Sequence, residues 1–222
     1  MTQTLPLFPL GTVLYPGLLL PLQIFEDRYL QLVHDLRAGP QPGRFCVIAI
    51  REGRETGIEG VSALYEIGCT ATVRRISERD DGRFDLVAIG TDRFRLGALD
   101  RSRPYLQADV EFLPEDTGDP EAAKLAVVAV KHAFRGYVDM LAERGADNLR
   151  IPDLPDEPVA LSYLVAAAVI ADLQDRQSLL AEPDALHRLV AERALLSRET
   201  AMLRSLTSRA APDLRYVPYS SN

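Results

Sequence analysis

The sequence predicts an α+β protein: a small mixed β barrel carrying one helix, followed by a helical bundle. Up to about Pro114 the chain is a series of short apolar or alternating runs separated by Pro and Gly clusters, as strands and their turns require. One stretch inside it, 27–37, changes to helical spacing. Beyond Pro114 apolar residues recur every third or fourth position over long runs, the period of amphipathic helices. The 222 residues therefore divide into a β-rich part (1–114), a helical part (115–210) and a polar C-terminal tail (211–222) with Tyr216 and Tyr219.

Leu5–Leu10 and Val13–Phe25 are apolar but broken by Pro6, Pro9, Pro16, Gly17 and Pro21, so their strands are short, bent or at an edge. From Asp27 to Arg37, Tyr29, Leu32, Val33 and Leu36 share one helical face, and Gly39-Pro40-Gln41-Pro42-Gly43 ends it. Phe45–Ile50 is a continuous apolar run, the pattern of a buried strand, and Gly53–Gly60 reads as a loop. Cys69–Ile76 and Phe84–Ile89 flank Asp81-Gly82, a strong hairpin signal. Arg93–Leu96 alternates, Gly97 suggests a bulge, and Leu106–Phe112 alternates along its whole length. In the second half Asp119-Pro120-Glu121 combines an N-cap acceptor, proline at the first helical position and an early acid. Its helix carries Val127, Val130, Phe134, Tyr137 and Leu141 to a stop near Gly145. After the connector 151–158, a second helix is expected over Pro158–Leu173, a short helical turn at Ser178–Leu180, and a third long helix from Glu182-Pro183 to about Ser208. Leu186, Leu189, Arg193, Leu196, Thr200 and Leu203 form a heptad-like stripe on it, expected to pack on the other helices, with oligomer formation through this helix as the alternative.

Composition narrows the function classes. Apolar residues make up 47% and charged residues 26%, the balance of an ordinary soluble globular chain, and the net charge is −7. Residues 1–114 hold 13 basic and 15 acidic side chains and the remainder 12 and 17, so neither half offers the basic face that nucleic-acid binding needs. No apolar run has the length of a membrane span, and Met1–Pro6 has no basic segment leading into an apolar one, so a cytoplasmic protein is expected. Cys46 and Cys69 match no metal or redox spacing and read as buried reduced thiols. His34 and His187 read as helix-surface residues and His132 as core-facing; far apart in sequence, they suggest no metal site.

Catalytic motifs are missing. No Gly-Lys pair exists to build a P-loop, Gly53, Gly57 and Gly60 lack dinucleotide-binding spacing, and no Gly-x-Ser-x-Gly elbow occurs. A Ser–Lys dyad would need Lys124 or Lys131, both placed by the helical pattern on or near a solvent face. Asp80-Asp81 and Asp156-Glu157 fall where carboxylates serve turns and helix starts. The expectation is a protein that is not an enzyme and carries no cofactor.

Several segments resemble a known family. Leu5-Pro6-Leu7-Phe8-Pro9-Leu10-Gly11-Thr12-Val13-Leu14-Tyr15-Pro16-Gly17 and Leu20-Pro21-Leu22-Gln23-Ile24-Phe25-Glu26-Asp27-Arg28-Tyr29 are similar to the opening of the N-terminal substrate-binding domain of Lon proteases. Ile67-Gly68-Cys69-Thr70-Ala71, Asp81-Gly82-Arg83-Phe84, Gly90-Thr91-Asp92-Arg93-Phe94-Arg95, Pro104–Val110, Leu154-Pro155-Asp156-Glu157-Pro158 and Gln177-Ser178-Leu179-Leu180 continue the match in order, over about 5–206. The resemblance implies a PUA-like pseudo-barrel followed by a helical bundle. It implies the recognition part of an ATP-dependent protease without its motor or peptidase, in a form that looks like the stand-alone bacterial one.

The leading expectation is a module that binds unfolded protein or peptide segments, with a protease or chaperone acting in trans as a further partner. Binding would use β-augmentation on an exposed edge, or a groove between barrel and bundle that captures apolar side chains. Phe25, Glu26, Asp27, Arg28 and Tyr29 are the local candidates, because they set both charge signs beside two aromatics at a strand-to-helix corner. The competing reading makes Phe25 and Tyr29 core, Glu26 or Asp27 a helix cap, and Arg28 the partner of an acid. Arg93 and Arg95 are further candidates around Phe94, with solvated or paired arginines as the alternative. Two other functions stay open: RNA binding, which PUA-like barrels often perform, and a small-molecule site between the two halves.

Overall fold

The proline-punctuated opening forms β1 (Thr2–Leu10) and β2 (Leu19–Ile24) in a computed structural model, whose described residues are 2–53, 61–144 and 153–209. Most of the expected 53–60 loop, the helix stop near Gly145 and the tail 211–222 lie outside them. The fold is α+β. After β2 come α1 (Asp27–Ala38), β3 (Arg44–Gly53), β4 (Val61–Leu64), β5 (Ile67–Glu78), β6 (Phe84–Asp100) and β7 (Gln107–Phe112). Then follow α2 (Pro120–Ala142), α3 (Pro158–Ala168), α4 (Leu173–Ala181) and α5 (Ala185–Arg209).

The strand pairings close on themselves. β1 pairs antiparallel with β7, β7 with β6, β6 with β5 and β5 with β3, and β3 returns to β1 in parallel. β1 changes partner between Pro6 and Leu7, pairing 2–6 with β7 and 7–10 with β3. That handover explains its prolines. Leu7 N–H donates to Leu106 O, so odd-numbered residues point their backbone toward β7 and even ones away. Pro6 turns its nitrogen to the β3 side before β3 begins to pair, and Pro9 turns its own to the β7 side after β7 has ended. β2 carries Pro21 and pairs, among the described residues, with β6 alone, as an edge strand with proline should.

Other turn signals hold as well. Gly82 sits at φ +79° in the β5–β6 hairpin, and the β6–β7 register shifts between Leu96 and Leu99, around Gly97. β6 is one strand of 17 residues rather than the two short ones expected, because its pairing with β5 runs through Gly90 to Arg95.

Leu7–Leu10 of β1 and Phe45–Ile50 of β3 are buried on both faces, hence the unbroken apolar run of the latter. Phe8, Leu10, Phe45 and Val47 join Tyr29, Leu32, Val33 and Leu36 of α1 in one core, together with Ile24, Phe84 and Leu86. Leu5, Leu7, Cys46 and Ile48, from the alternate positions, join Phe94, Ala108 and Val110 in another.

Two compact units result. The first comprises Met1–Asp116 together with Ala166–Asp184, and the second Thr117–Val165 with Ala185–Asn222. Segment 166–184, which composition groups with the helical half, thus belongs with the barrel. Tyr15 Oη donates to Arg176 O at 2.8 Å, and Gln177 Nε2 to Ile67 O at 2.8 Å. The second helix stops at Ala168, short of the expected Leu173, and the expected short turn at 178–180 is the nine-residue α4, opened by Asp172 accepting from Asp175 N–H.

In the second unit Asp119 caps α2 by accepting from Ala122 N–H at 2.8 Å, with Pro120 at its first position. α2 packs along α5; Val127, Val130, Phe134 and Tyr137 are buried on α2, and Leu189 and Leu196 on α5. His132 is exposed, correcting the core-facing expectation: it lies two residues from Val130 and Phe134, across the helix from the buried stripe. Lys124 is solvated, but Lys131 is mostly buried, donating to Leu154 O at 2.9 Å and Asp156 Oδ1 at 2.6 Å. No described helix is long and apolar enough to cross a membrane.

Candidate functional site

The corner between β2 and α1 builds a small groove. β2 ends at Ile24, whose side chain is buried; the alternation of the strand then throws Phe25 outward, where it is 56% exposed. Glu26 is the N-cap residue of α1, its carbonyl accepting from the Tyr29 and Leu30 N–H groups, while Asp27 in the first turn favours the helix dipole. One helical turn from Phe25, Tyr29 enters the core at 5% exposure and stacks on Phe8 of β1, ring centroids 4.0 Å apart. Arg28 lies over the Tyr29 ring at 4.4 Å and reaches Glu26 at 3.1 Å.

These groups bound a cavity of about 150 Å³, lined from β1 by Phe8, Pro9 and Leu10 and from β2 by Leu22 and Gln23, with Phe25, Glu26 and Tyr29 closing it. Leu19, at 67% exposure, lies on β2 as well, so that strand and the residue after it present two large apolar side chains to solvent. The competing reading of the corner holds for two of its residues and not for Phe25. Tyr29 is core and Arg28 is ion-paired, yet Phe25 stands out in water beside an apolar slot, an arrangement suited to gripping an apolar side chain.

The two arginines of β6 do not line that groove. Arg93 is 2% exposed and turned inward: Nε donates to Glu115 Oε1 at 2.9 Å, Nη1 to Leu180 O at 3.0 Å and to Glu182 O, and Nη2 to Pro183 O at 3.2 Å. It closes the C-terminal end of α4, so it is a structural residue and no surface for a partner. Arg95 is exposed and faces Glu111 across the β6–β7 pair at 3.9 Å.

A second cavity in the same unit, about 350 Å³, was not foreseen. Its polar part is a closed network in which Asp35 accepts from Tyr105 Oη at 2.7 Å, Arg103 at 2.6 Å and Gln31 at 2.9 Å. The Tyr105 hydroxyl, ahead of the other two donors, holds the Asp35 carboxyl below the usual carboxylate range, while burial raises the phenol. A carboxylate satisfied three times over locks α1 to the β6–β7 turn and is poorly placed for acid–base work. Burial likewise pushes the Cys46 thiol up to about 12 and the Cys69 thiol also upward, leaving both unreactive. Among the described residues, no group of three or more His, Cys, Asp or Glu could hold a metal ion.

Comparison with known proteins gives a consistent result. The family model of the substrate-binding domain of the ATP-dependent protease La (Lon) matches residues 4–198. The Lon protease of Desulfovibrio desulfuricans is 27% identical over 199 residues, which is 89% of this chain and 22% of that protein. The Escherichia coli Lon protease is 24% identical over 200 residues, 90% of this chain and 25% of its own length. The chain thus spans about a quarter of the curated relatives it matches, and only their substrate-binding part. The crystal structure of a Lon N-terminal domain protein from Xanthomonas campestris superposes with a TM-score of 0.60 at 27% identity, covering 88% of this chain and 98% of that one. The N-terminal domain of Lon protease from Mycobacterium avium complex shares the fold, with a TM-score of 0.65 at 19% identity over 90% and 98% of the two chains.

Proposed function

The chain belongs to the Lon protease substrate-binding domain family, and from that membership we propose that it recognises unfolded protein segments at the Phe25 corner without acting on them chemically. One observation carries the reading: an exposed phenylalanine stands at the mouth of an apolar slot floored by the Phe8–Tyr29 stack. An apolar side chain of an extended segment enters the slot, and Phe25 folds over it. Glu26 lines the slot with its carboxylate paired to Arg28 at 3.1 Å, so that wall is polar but largely neutralised. β2 gives the segment a strand to lie against, since among the described residues it pairs only with β6. Pro21 removes a ladder donor from that strand, so the slot and Phe25 supply more of the affinity than main-chain bonds do. The bound segment then passes to a protease or chaperone acting in trans, in the cytoplasm.

Fluorescence anisotropy with labelled β-casein, a chain with little fixed structure, tests this. Phe25→Ala weakens binding by roughly 30-fold, the scale of an interface hot spot of about 2 kcal/mol. Binding persists at high salt, because burial of apolar surface rather than phosphate neutralisation drives it. Equal affinity of wild type and Phe25→Ala overturns the assignment.

A further inference from the structure

The first half of β1 has one open edge. Its pairing with β3 starts only at Leu7 opposite Cys46, while β7 takes the other edge over Thr2–Pro6. Odd-numbered residues turn their main chain to β7, so the N–H and C=O of Thr4 point the opposite way. No described strand pairs with them there. Thr4 is exposed, and its hydroxyl donates to Asp109 Oδ1 at 2.6 Å.

Strand edges are normally blunted by charge, proline or a bulge. β2 has Pro21, and β5 beyond Thr72 has Arg74, Arg75, Glu78 and a register shift between Val73 and Arg75. Thr2-Gln3-Thr4-Leu5 has none of these: it is uncharged, rich in threonine and paired with β7 without a shift. Nor does the chain close the gap itself. The segment ahead of β3 contains Pro40 and Pro42, which have no N–H to give. Gly39 N–H goes to Asp35 O at 3.0 Å, and Gly43 O accepts from Val73 N–H at 2.9 Å.

Between that segment and β1 lies the cavity of about 350 Å³, lined by Leu5 and Pro6 on one side, Pro40 and Pro42 on the other, and by Leu36 and Tyr105. Its charged lining is already matched, Arg103 to Asp35 at 2.6 Å and Arg44 to Asp92 at 2.9 Å. A charged side chain entering it meets no spare counter-charge among the described lining residues, so an occupant is neutral and apolar there.

We propose that this edge takes up an uncharged extended segment of a partner protein as an added strand, with an aliphatic side chain in the cavity. Open N–H and C=O groups on a strand are met by another extended main chain. A second copy of β1 fits less well. Five residues a side, at about 30 Å² each, bury about 300 Å² in all, far below the roughly 1,000 Å² of a stable interface. Antiparallel pairing of two copies about Thr4 also brings threonine, not an aliphatic side chain, to the cavity. The edge is separate from the Phe25 corner, and the proposal does not rest on that one.

The test uses the full chain and a labelled nine-residue peptide of alternating valine and serine, read by fluorescence anisotropy. Only every second N–H of an added strand faces β1. Of two N-methylated peptides, one methylated on all valines and one on all serines, one therefore loses at least about tenfold in affinity and the other binds like the parent. Glutamate or lysine in place of the valines weakens binding at least about tenfold. Thr4→Pro removes the N–H of the open edge and weakens binding about fivefold or more, the scale of one hydrogen bond. Thr4→Val, which loses only the hydroxyl, binds as wild type does. Since Thr4 N–H serves no bond to β7, the two variants melt close together. Phe25→Ala leaves the affinity unchanged. No binding of the parent peptide, equal effects of the two methylation patterns, a charged peptide bound as tightly, full affinity in Thr4→Pro, lost affinity in Phe25→Ala, or a dimer in sedimentation that Thr4→Pro dissociates overturns the proposal.

Discussion

Glu192 is a carboxylic acid with no exposed surface on α5, and neither of its oxygens has a hydrogen-bond partner among the described residues. One turn earlier, the equally buried Arg188 donates to Ser162 Oγ at 2.9 Å and stacks 4.0 Å over the Tyr163 ring. Burial pushes the Glu192 carboxyl well above the ordinary carboxylate range, and the Arg188 charge pulls weakly against that. A raised folded-state pKa means that folding takes up a proton once the pH exceeds the unfolded value near 4.3. Stability is therefore undiminished below that pH and falls as pH rises toward the folded pKa, by about 1.4 kcal/mol per pH unit at the limit. Glu192→Gln removes this loss. Melting curves of the two proteins should nearly coincide at pH 4 and separate toward pH 7, with the variant higher by roughly 2–4 °C per kcal/mol regained. Parallel pH profiles would refute a protonated Glu192. The heptad-like stripe of α5 gave no sign of this residue. A buried acid carries no pattern of its own, and only the apolar neighbours at Leu189 and Leu196 mark that face.

At the scale of elements, the sequence was readable wherever burial is one-sided. α1 and α2 fall where their apolar faces require, and the handover of β1 accounts for prolines that looked disruptive. α4 is the counter-example. Its buried positions include Gln177, whose amide serves the Ile67 carbonyl, and its end is held by Arg93 from β6. Neither feature is apolar, so periodicity shows only a turn at 178–180. The Phe25 corner was legible as a cluster, but not which of its aromatics faces water; the strand alternation inherited from Ile24 decides that. Arg93→Met should confirm the role of the arginine. It strands the carbonyls of Leu180 and Glu182 and the Glu115 carboxylate, at a cost of roughly 3–5 kcal/mol. Amide hydrogen exchange should then quicken in α4 ahead of α2 and α5; uniform quickening throughout would mean that the arginine does not hold that helix in particular.

For the whole molecule, the division into units decides what can be cut. A fragment ending at Asp116 holds every described strand yet lacks Ala166–Asp184, and with it the carbonyl acceptors of Arg93, the acceptor of Tyr15 and Gln177's contact to β5. Such a fragment should melt well below the full chain and bind a dye for exposed apolar surface. A fragment 1–116 as stable as the parent would show α4 to be dispensable. Composition could not reveal this, since 166–184 is helical in character and only its contacts assign it to the barrel.

The first unit is also discontinuous in time. A chain emerging from the ribosome offers the seven described strands before the segment that completes their unit has been made. At about 5–20 residues per second, synthesis from Asp116 to Asp184 takes roughly 3–14 s. During that interval the inward-facing arginine of β6 has no carbonyls to meet, and the nascent barrel depends on whatever holds unfinished chains.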